Sequence, residues 1–520
     1  MRVLWPLRTR RGRRIGLVRL GAVAIAEKSF KNYVAGEWVD AASGETFESA
    51  SPATGEMIGT FPRSSAEDVD GAVAAAKASY DEWRLTPAPR RGEILFRFGR
   101  LLTEHKEDLA QLMTREMGKV IAEARGDVQE AIDMSFYMGG EGRRLFGHTT
   151  PSELRDKFNM SVRMPIGVVG VITPFNFPIA IPSWKILPAL VCGNTIVFKP
   201  ANDTPLLGER FVELLADAGV PAGVVNIVHG FGSETGDRIV RHPHVPVITF
   251  TGSRETGVLV TRNGADLLKR VHLELGGKNA ILVMEDADLD LAVEGIVFSA
   301  FGTSGQRCTA ASRVIVHRQV YYDLQSRLVA AAERLRLGAG WEADTDVGPV
   351  INRKALEKID AYTKIGQDEG ARLLTGGEVA TGGSLEAGYF YRPTVFGEVA
   401  PQMRIAQEEI FGPTTALIPV DDFDEAIQAA NGIRYGLSSS IYTQDVNRAF
   451  RAMRDLETGI TYVNAGTIGA EVHLPFGGTK ETGNGHREAG QAALDVFTEW
   501  KSLYVDYSGR LQKAQIDTAE

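Results

Sequence analysis

Cysteine is scarce in this sequence: 520 residues hold only two, Cys192 and Cys308. Two thiols cannot build a disulfide framework, and their scarcity points to a reducing compartment, the cytoplasm. An unbroken apolar span is also missing. The longest uncharged stretch, Met164 to Trp184, is long enough to cross a bilayer, but Pro165, Pro174, Pro178 and Pro182 interrupt it, which excludes a transmembrane helix. Net positive charge is absent as well: 57 basic against 66 acidic residues leave −9. No overall field then draws the chain to nucleic acid or to an anionic membrane. Acid, in turn, is lacking from residues 1–26, where seven arginines stand without one Asp or Glu, so the remainder carries −16. Three origins fit that basic extension: sequence upstream of a misplaced start, an organelle transit peptide, or a twin-arginine secretion signal ending near Ala24-Ile25-Ala26.

What is present suits a large α/β protein. Length and a 44% apolar content allow about three domains. After Phe30 the segments NYVAGEWVD and GETFESASPATGEMIGTFP alternate apolar and polar residues between turn residues, as short edge strands do. Helical spacing follows over Ala66 to Trp83, Arg90 to Met117 and Val120 to Tyr137. From GVVGVITP onward, strands such as Asn194 to Ala201, VVNIVHG and VPVITFTGS alternate with helix-length segments, Leu206 to Ala218 and GSETGDRIVRH among them. Crossovers of that length imply a parallel sheet with helices on its faces and ligands at the carboxyl ends of its strands. A second α/β series follows: KNAILVME, a helix from Leu289 to Gly302, RVIVH, a helix from Tyr321 to Leu337, then TTALIPV and SSSIYT. The last alternating stretch, Phe497 to Tyr507, predicts a strand that pairs either with Asn159 to Met164 or with another subunit.

Chemistry concentrates in six short stretches. Cys308 lies in FGTSGQRCTAASR, a polar, glycine-rich loop with Arg307 beside it, where a thiolate can form and be approached; Cys192, inside the apolar PALVCGNTIVFKP, reads as structural. In ITPFNFP the prolines and aromatics fix the backbone around Asn176, whose amide can stabilise an oxyanion. In LELGGKN, Glu274 ends a strand before Gly276 and Gly277, placing a carboxylate able to activate water at the functional edge of the sheet. In FTGSRETG, Gly252 and Ser253 end a strand and open a helix, offering N–H groups to a phosphate without the usual GxGxxG fingerprint. EEIFGP brings Glu409 and Phe411 to a turn, and KPAN puts Lys199 and Asn202 at a strand end. No metal ligand set is assigned.

In this order these segments resemble the aldehyde dehydrogenase superfamily, from about Phe30 to Tyr507. The resemblance implies a Rossmann-like cofactor domain (27–146 and 167–275), a catalytic α/β domain (276–490) and a small β oligomerisation arm (147–166 and 491–510). It implies that Cys308 is the nucleophile, Glu274 the general base, and Asn176 with the Cys308 N–H the oxyanion hole. Lys199 and Asn202 would meet the adenosine ribose, Gly232 the adenine side, Gly252 and Ser253 the pyrophosphate, Glu409 and Phe411 the nicotinamide ribose. Lys185 and Glu488 match positions of a proton path. The implied reaction is oxidation of an aldehyde by NAD or NADP through a cysteine thioester, in a homodimer or homotetramer.

Two departures sharpen the expectation. Asn202 stands where many NAD-preferring relatives carry a glutamate, so a 2′-phosphate is not repelled and both NAD and NADP are expected to serve. Arg307 before the cysteine, with GLSSSI and NAGTIGAEVHLPFGGTKETG, resembles the semialdehyde branch, including α-aminoadipic and α-ketoglutarate semialdehyde dehydrogenases. Its guanidinium either pairs with a distal carboxylate of the substrate or packs the loop and tunes the thiol. A silent protein on the same fold would have lost Cys308, Glu274 or Asn176, and all three are present.

Overall fold

The computed structural model describes residues 29–517, so the basic extension at 1–26 lies outside the described residues. Two seven-stranded sheets dominate, and both are mainly parallel, in keeping with the α/β expectation. In the first, the spatial order is Arg270–Glu274, Val247–Thr251, Val168–Ile172, Thr195–Lys199, Val225–Ile227, Asn32–Val34 and Glu37–Val39. The first five run parallel, and the two short strands near the start of the chain pair antiparallel at the edge. The chain enters this sheet's parallel part at its middle, works outward through Lys199 and Ile227, then crosses to the other side. That reversal is the position at which open α/β sheets bind ligands.

The second sheet has the order Arg372–Thr375, Thr394–Gly397, Thr414–Val420, Ala311–His317, Asn279–Val283, Ser438–Tyr442 and Ile460–Val463, with only Arg372–Thr375 antiparallel. Glu274 ends the last strand of the first sheet, and Asn279 opens the first strand of the second. The carboxyl edge of one sheet is thereby joined through a four-residue turn to the amino edge of the other, and the cleft between them is where both sets of chemistry-bearing residues meet. A separate three-stranded antiparallel sheet joins His148–Pro151, Lys157–Pro165 and Thr498–Asp506. The final strand thus pairs within its own chain, nine residues in register with Lys157–Pro165.

Local chemistry explains several helix starts. Ser65 and Asp68 form a capping box at the start of Ala66–Leu85, and Asp288 accepts from Asp290 and Leu291 N–H at the start of Leu289–Phe301. One expectation is corrected: Arg90 to Met117 is two helices, Ala88–Glu104 and Lys106–Glu116, divided at His105 with φ −100 and ψ 10. The backbone bonds continue on both sides, His105 N–H to Leu101 O at 2.9 Å and Leu109 N–H to His105 O at 3.0 Å. A one-residue kink leaves the apolar period intact, so the pattern carries no sign of it. The helix expected through Leu337 also stops earlier, at Glu333, and GSETG forms a π-type turn before the short helix Asp237–Arg241.

Helix Ala180–Cys192 shows how the first core is built. Every residue in it but Ile181 is buried, and Cys192 is 2% exposed with its thiol pushed up to about 12, chiefly by burial. That is a packed, unreactive cysteine.

Candidate active site

The loop before Cys308 takes a costly shape. Thr303, Ser304 and Gly305 have φ of 51, 55 and 68, a left-handed run in which the two non-glycine residues each cost about 1 kcal/mol or more. Gly305 is obligatory, because a Cβ there would lie 2.0 Å from Gly412 O. The conformation is held from outside the loop. Glu123 accepts from Thr303 N–H at 2.9 and 3.0 Å, Ser304 Oγ donates to Gly348 O at 2.7 Å, and Ile351 N–H donates to Gln306 Oε1 at 2.9 Å. Beyond the thiol, Asn279 Nδ2 donates to Cys308 O at 2.7 Å and Ala310 O at 2.9 Å. Gly277 is required beneath it, since a Cβ would meet Cys308 O at 2.4 Å. Gly277, between the two sheets, therefore admits the cysteine loop.

The other candidate residues converge on this loop to different degrees. Asn176 is 3% exposed and donates one amide hydrogen to Gln306 O at 2.9 Å, which fixes its side chain two residues from the thiol. Its second amide hydrogen is left for a ligand. Glu274 is buried, and neither carboxylate oxygen has a hydrogen-bond partner among the described residues. Burial holds its pKa well above the usual carboxylate range, the nearby Glu488 charge adds to this, and Lys185 and Arg487 oppose it. Lys185 donates to Thr249 Oγ1 at 3.0 Å and pairs with Glu488. Cys308 itself is partly accessible, and its thiol is pushed far up by burial and then by the charges of Glu274, Glu409 and Glu488.

A dinucleotide has a matching set of groups along the carboxyl edge. Glu409 Oε1 accepts from Gly277 N–H at 3.1 Å, and a Cβ on Gly276 would lie 2.2 Å from Oε2, so that carboxylate rests on bare backbone. Phe411, at φ 64, packs edge-on against Phe175 at 6.0 Å. Gly252 N–H donates to Glu274 O at 3.1 Å, and Ser253 caps Arg254–Ala265, so the helix start opens onto the sheet edge. Lys199 Nζ donates to Pro200 O at 2.7 Å, and burial lowers its pKa to about 8 against the pull of Asp203. Asn202 Nδ2 donates to Asp203 Oδ2 at 3.3 Å. Gly232, which opens the π-type turn, has open space where a Cβ would stand.

Arg307 sits differently from the leading expectation. Its Nη2 donates to Glu123 Oε1 at 2.8 Å and its Nε to Thr303 Oγ1 at 2.9 Å, with the rings of Phe177 and Phe298 on either side. Both partners of the ion pair are 11% exposed. The geometry thus supports the packing alternative, in which the guanidinium locks the loop rather than waiting for a carboxylate. Glu123, its anchor, escaped the sequence reading because IAEARG looks like any amphipathic helix surface. His272 escaped it too, although the strand RVHLE puts it on the same face as Glu274, two residues away.

A doubly wound sheet facing a second α/β unit, with a thiol, a fixed carboxamide and a buried carboxylate in the cleft between them, defines an oxidoreductase that works through a covalent cysteine and a dinucleotide. The chain belongs to the aldehyde dehydrogenase family, whose profile matches residues 38–503. It is 44% identical over 480 residues to alpha-ketoglutarate semialdehyde dehydrogenase of Haloferax volcanii, covering 92% of this chain and 99% of that protein. Alpha-ketoglutaric semialdehyde dehydrogenase of Bacillus subtilis is 39% identical over 485 residues, covering 93% and 99%. Betaine aldehyde dehydrogenase from Staphylococcus aureus, crystallised in complex with NAD+, superposes with a TM-score of 0.91 at 34% identity, covering 92% of this chain and 95% of that one.

Proposed function

We propose that this enzyme oxidises a carboxylate-bearing semialdehyde to the corresponding acid with NAD or NADP. The observation that carries the chemistry is the seating of Cys308 in a rigid loop with the Asn176 amide fixed beside it and Glu274 buried behind. Semialdehyde dehydrogenases at about 40% identity over nearly the whole chain support the substrate class.

Cys308 gives up its proton to solvent and adds as the thiolate: Sγ bonds the aldehyde carbon, the carbonyl π bond breaks, and the oxygen takes the charge. The Asn176 amide and the Cys308 N–H stabilise that oxyanion without reorganising, because both are already held. Bound NAD or NADP supplies the acceptor for the hydride. Loss of hydride from the thiohemiacetal carbon leaves a thioester on Sγ. Glu274 then takes a proton from water, the resulting hydroxide attacks the thioester, and the carbon–sulfur bond breaks to release the acid and restore the thiol. Lys199, Asn202, Gly232, Gly252, Ser253, Glu409 and Phe411 form the cofactor cradle in this reading.

An assay with α-ketoglutarate semialdehyde tests the proposal. Both NAD and NADP are expected to support turnover, since no carboxylate stands at Asn202 to repel a 2′-phosphate; no turnover with NADP would contradict the relaxed choice. In the same assay Arg307→Ala is expected to lower kcat/KM for the semialdehyde and for neutral pentanal alike. The expected stability loss is about 1.5–3 kcal/mol from the charge-assisted bonds to Glu123. A loss confined to the charged substrate would return Arg307 to the substrate site.

Placement in the cytoplasm and assembly as a homodimer or homotetramer complete the reading. Among the described residues no helix is long and apolar enough to cross a membrane. The arm strand Thr498–Asp506 exposes Trp500, Tyr504 and Val505, a surface suited to a second copy of the chain. A monomer mass by light scattering would count against the assembly.

A further inference from the structure

The first sheet carries a second buried titratable group beside Glu274 that the chemistry above does not use. His272 is 1% exposed and shares a strand face with Glu274. Its ring nitrogens have different neighbours. Nδ1 lies 2.9 Å from Thr249 Oγ1, and Nε2 lies 3.7 Å from Glu274 Oε1. Among the described residues Nε2 has no hydrogen-bond partner, and neither has either oxygen of Glu274. Two unpartnered buried groups, one able to donate and one able to accept, thus face each other across a gap that a movement of under about 1 Å closes to hydrogen-bond length.

The tautomer follows from the hydrogen-bond chain. Lys185 Nζ donates to Thr249 Oγ1 at 3.0 Å. The threonine oxygen can accept from Lys185 and pass its one hydrogen to His272 Nδ1. In that arrangement the neutral ring carries its own hydrogen on Nε2, facing Glu274 Oε1 at 3.7 Å. Nδ1 also lies 3.8 Å from Glu488 Oε1, but as an acceptor it gains nothing there, and Glu488 is paired with Lys185. Burial, followed by the positive charges of Lys185, His486 and Arg487, holds the ring pKa well below its usual value, in keeping with the neutral form.

We infer that His272 is a positioning residue for the general base: its Nε2–H, oriented through Lys185 and Thr249, holds the ionised carboxylate of Glu274 in place for the attack of water on the thioester. The inference rests on Glu274 being that base. The groups facing the pair are Lys185 from helix Ala180–Cys192, Thr249 from strand Val247–Thr251, and His486, Arg487 and Glu488 from the loop that closes over them. Of these, only Lys185 and Arg487 favour the charged form of Glu274 through space. His272 adds a neutral donor 3.7 Å from it.

The sign is set by the donor. A neutral N–H favours the carboxylate over the acid and lowers the pKa of Glu274, so its removal raises that pKa. In His272→Leu the acid limb of kcat for α-ketoglutarate semialdehyde is expected to move up by about one pH unit, with kcat about tenfold lower on the limb. A burst of about one reduced cofactor per subunit should precede the slow phase, because thioester hydrolysis becomes limiting while hydride transfer does not. His272→Gln, which keeps an N–H close to the ring Nε2 position, should restore the limb to near its native pH. The inference is overturned if leucine leaves the limb unmoved while the burst shows intact sites, or if glutamine shifts it as far as leucine does. Glu274→Gln separates the two readings. If that variant turns over at the native rate, the base assignment fails; if it stalls after the burst while His272→Leu behaves as native, only the role of His272 fails.

Discussion

Cys308→Ser should lower aldehyde turnover by on the order of 10^4-fold or more, with the thermal midpoint little changed. The loop is shaped by Thr303, Ser304, Gly305 and their partners Glu123, Gly348 and Gly412, none of which needs the sulfur. A hydroxyl therefore occupies the same place without the nucleophilicity of a thiolate. Cys192→Ala makes the contrast, since that side chain is packed inside helix Ala180–Cys192, and its loss should affect stability rather than turnover. Steady-state production of reduced cofactor, read beside a thermal melt, checks both. Turnover in Cys308→Ser within tenfold of native would remove the covalent mechanism.

Glu274→Gln should leave thioester formation nearly intact and slow its hydrolysis by about 10^2- to 10^4-fold. Glutamine fits the space left by Gly477, where a Cβ would lie 2.6 Å from Glu274 Oε1, but it cannot take a proton from water. The expected record is a burst of one reduced cofactor per subunit followed by a nearly flat phase. In the native enzyme the raised pKa of Glu274 has a definite consequence. The carboxylate is the active form, so the hydrolysis rate should climb with pH through a value above the ordinary carboxylate range. A flat profile between pH 5 and 8 would contradict the assignment.

Much of this was readable from residue patterns. The alternation of apolar strands with helix-length crossovers gave two parallel sheets, and the glycines after Glu274 marked the turn between them. Cys308 was distinguishable from Cys192 because one stands among polar and glycine residues and the other in an apolar run. The kink at His105 was not readable, since one residue leaving the helix disturbs neither the apolar period nor the flanking backbone bonds. Partners far apart in sequence were equally hidden. Glu123 and Arg307 are 184 residues apart, and nothing in either segment names the other. The left-handed turn at Thr303 and Ser304 goes against the local preference of both residues and exists because Glu123 and Gly348 hold it. The role of His272 depends on the hydroxyl of Thr249 in a neighbouring strand, a register that only the paired sheet reveals.

The most direct test of the account is a mass measurement on the Glu274→Gln enzyme, mixed with NAD and α-ketoglutarate semialdehyde and quenched in acid after the burst. The account predicts one acyl group per subunit, carried on the peptide that contains Cys308. Reduced cofactor formed with no adduct on that peptide, or an adduct on the Cys192 peptide instead, would contradict it.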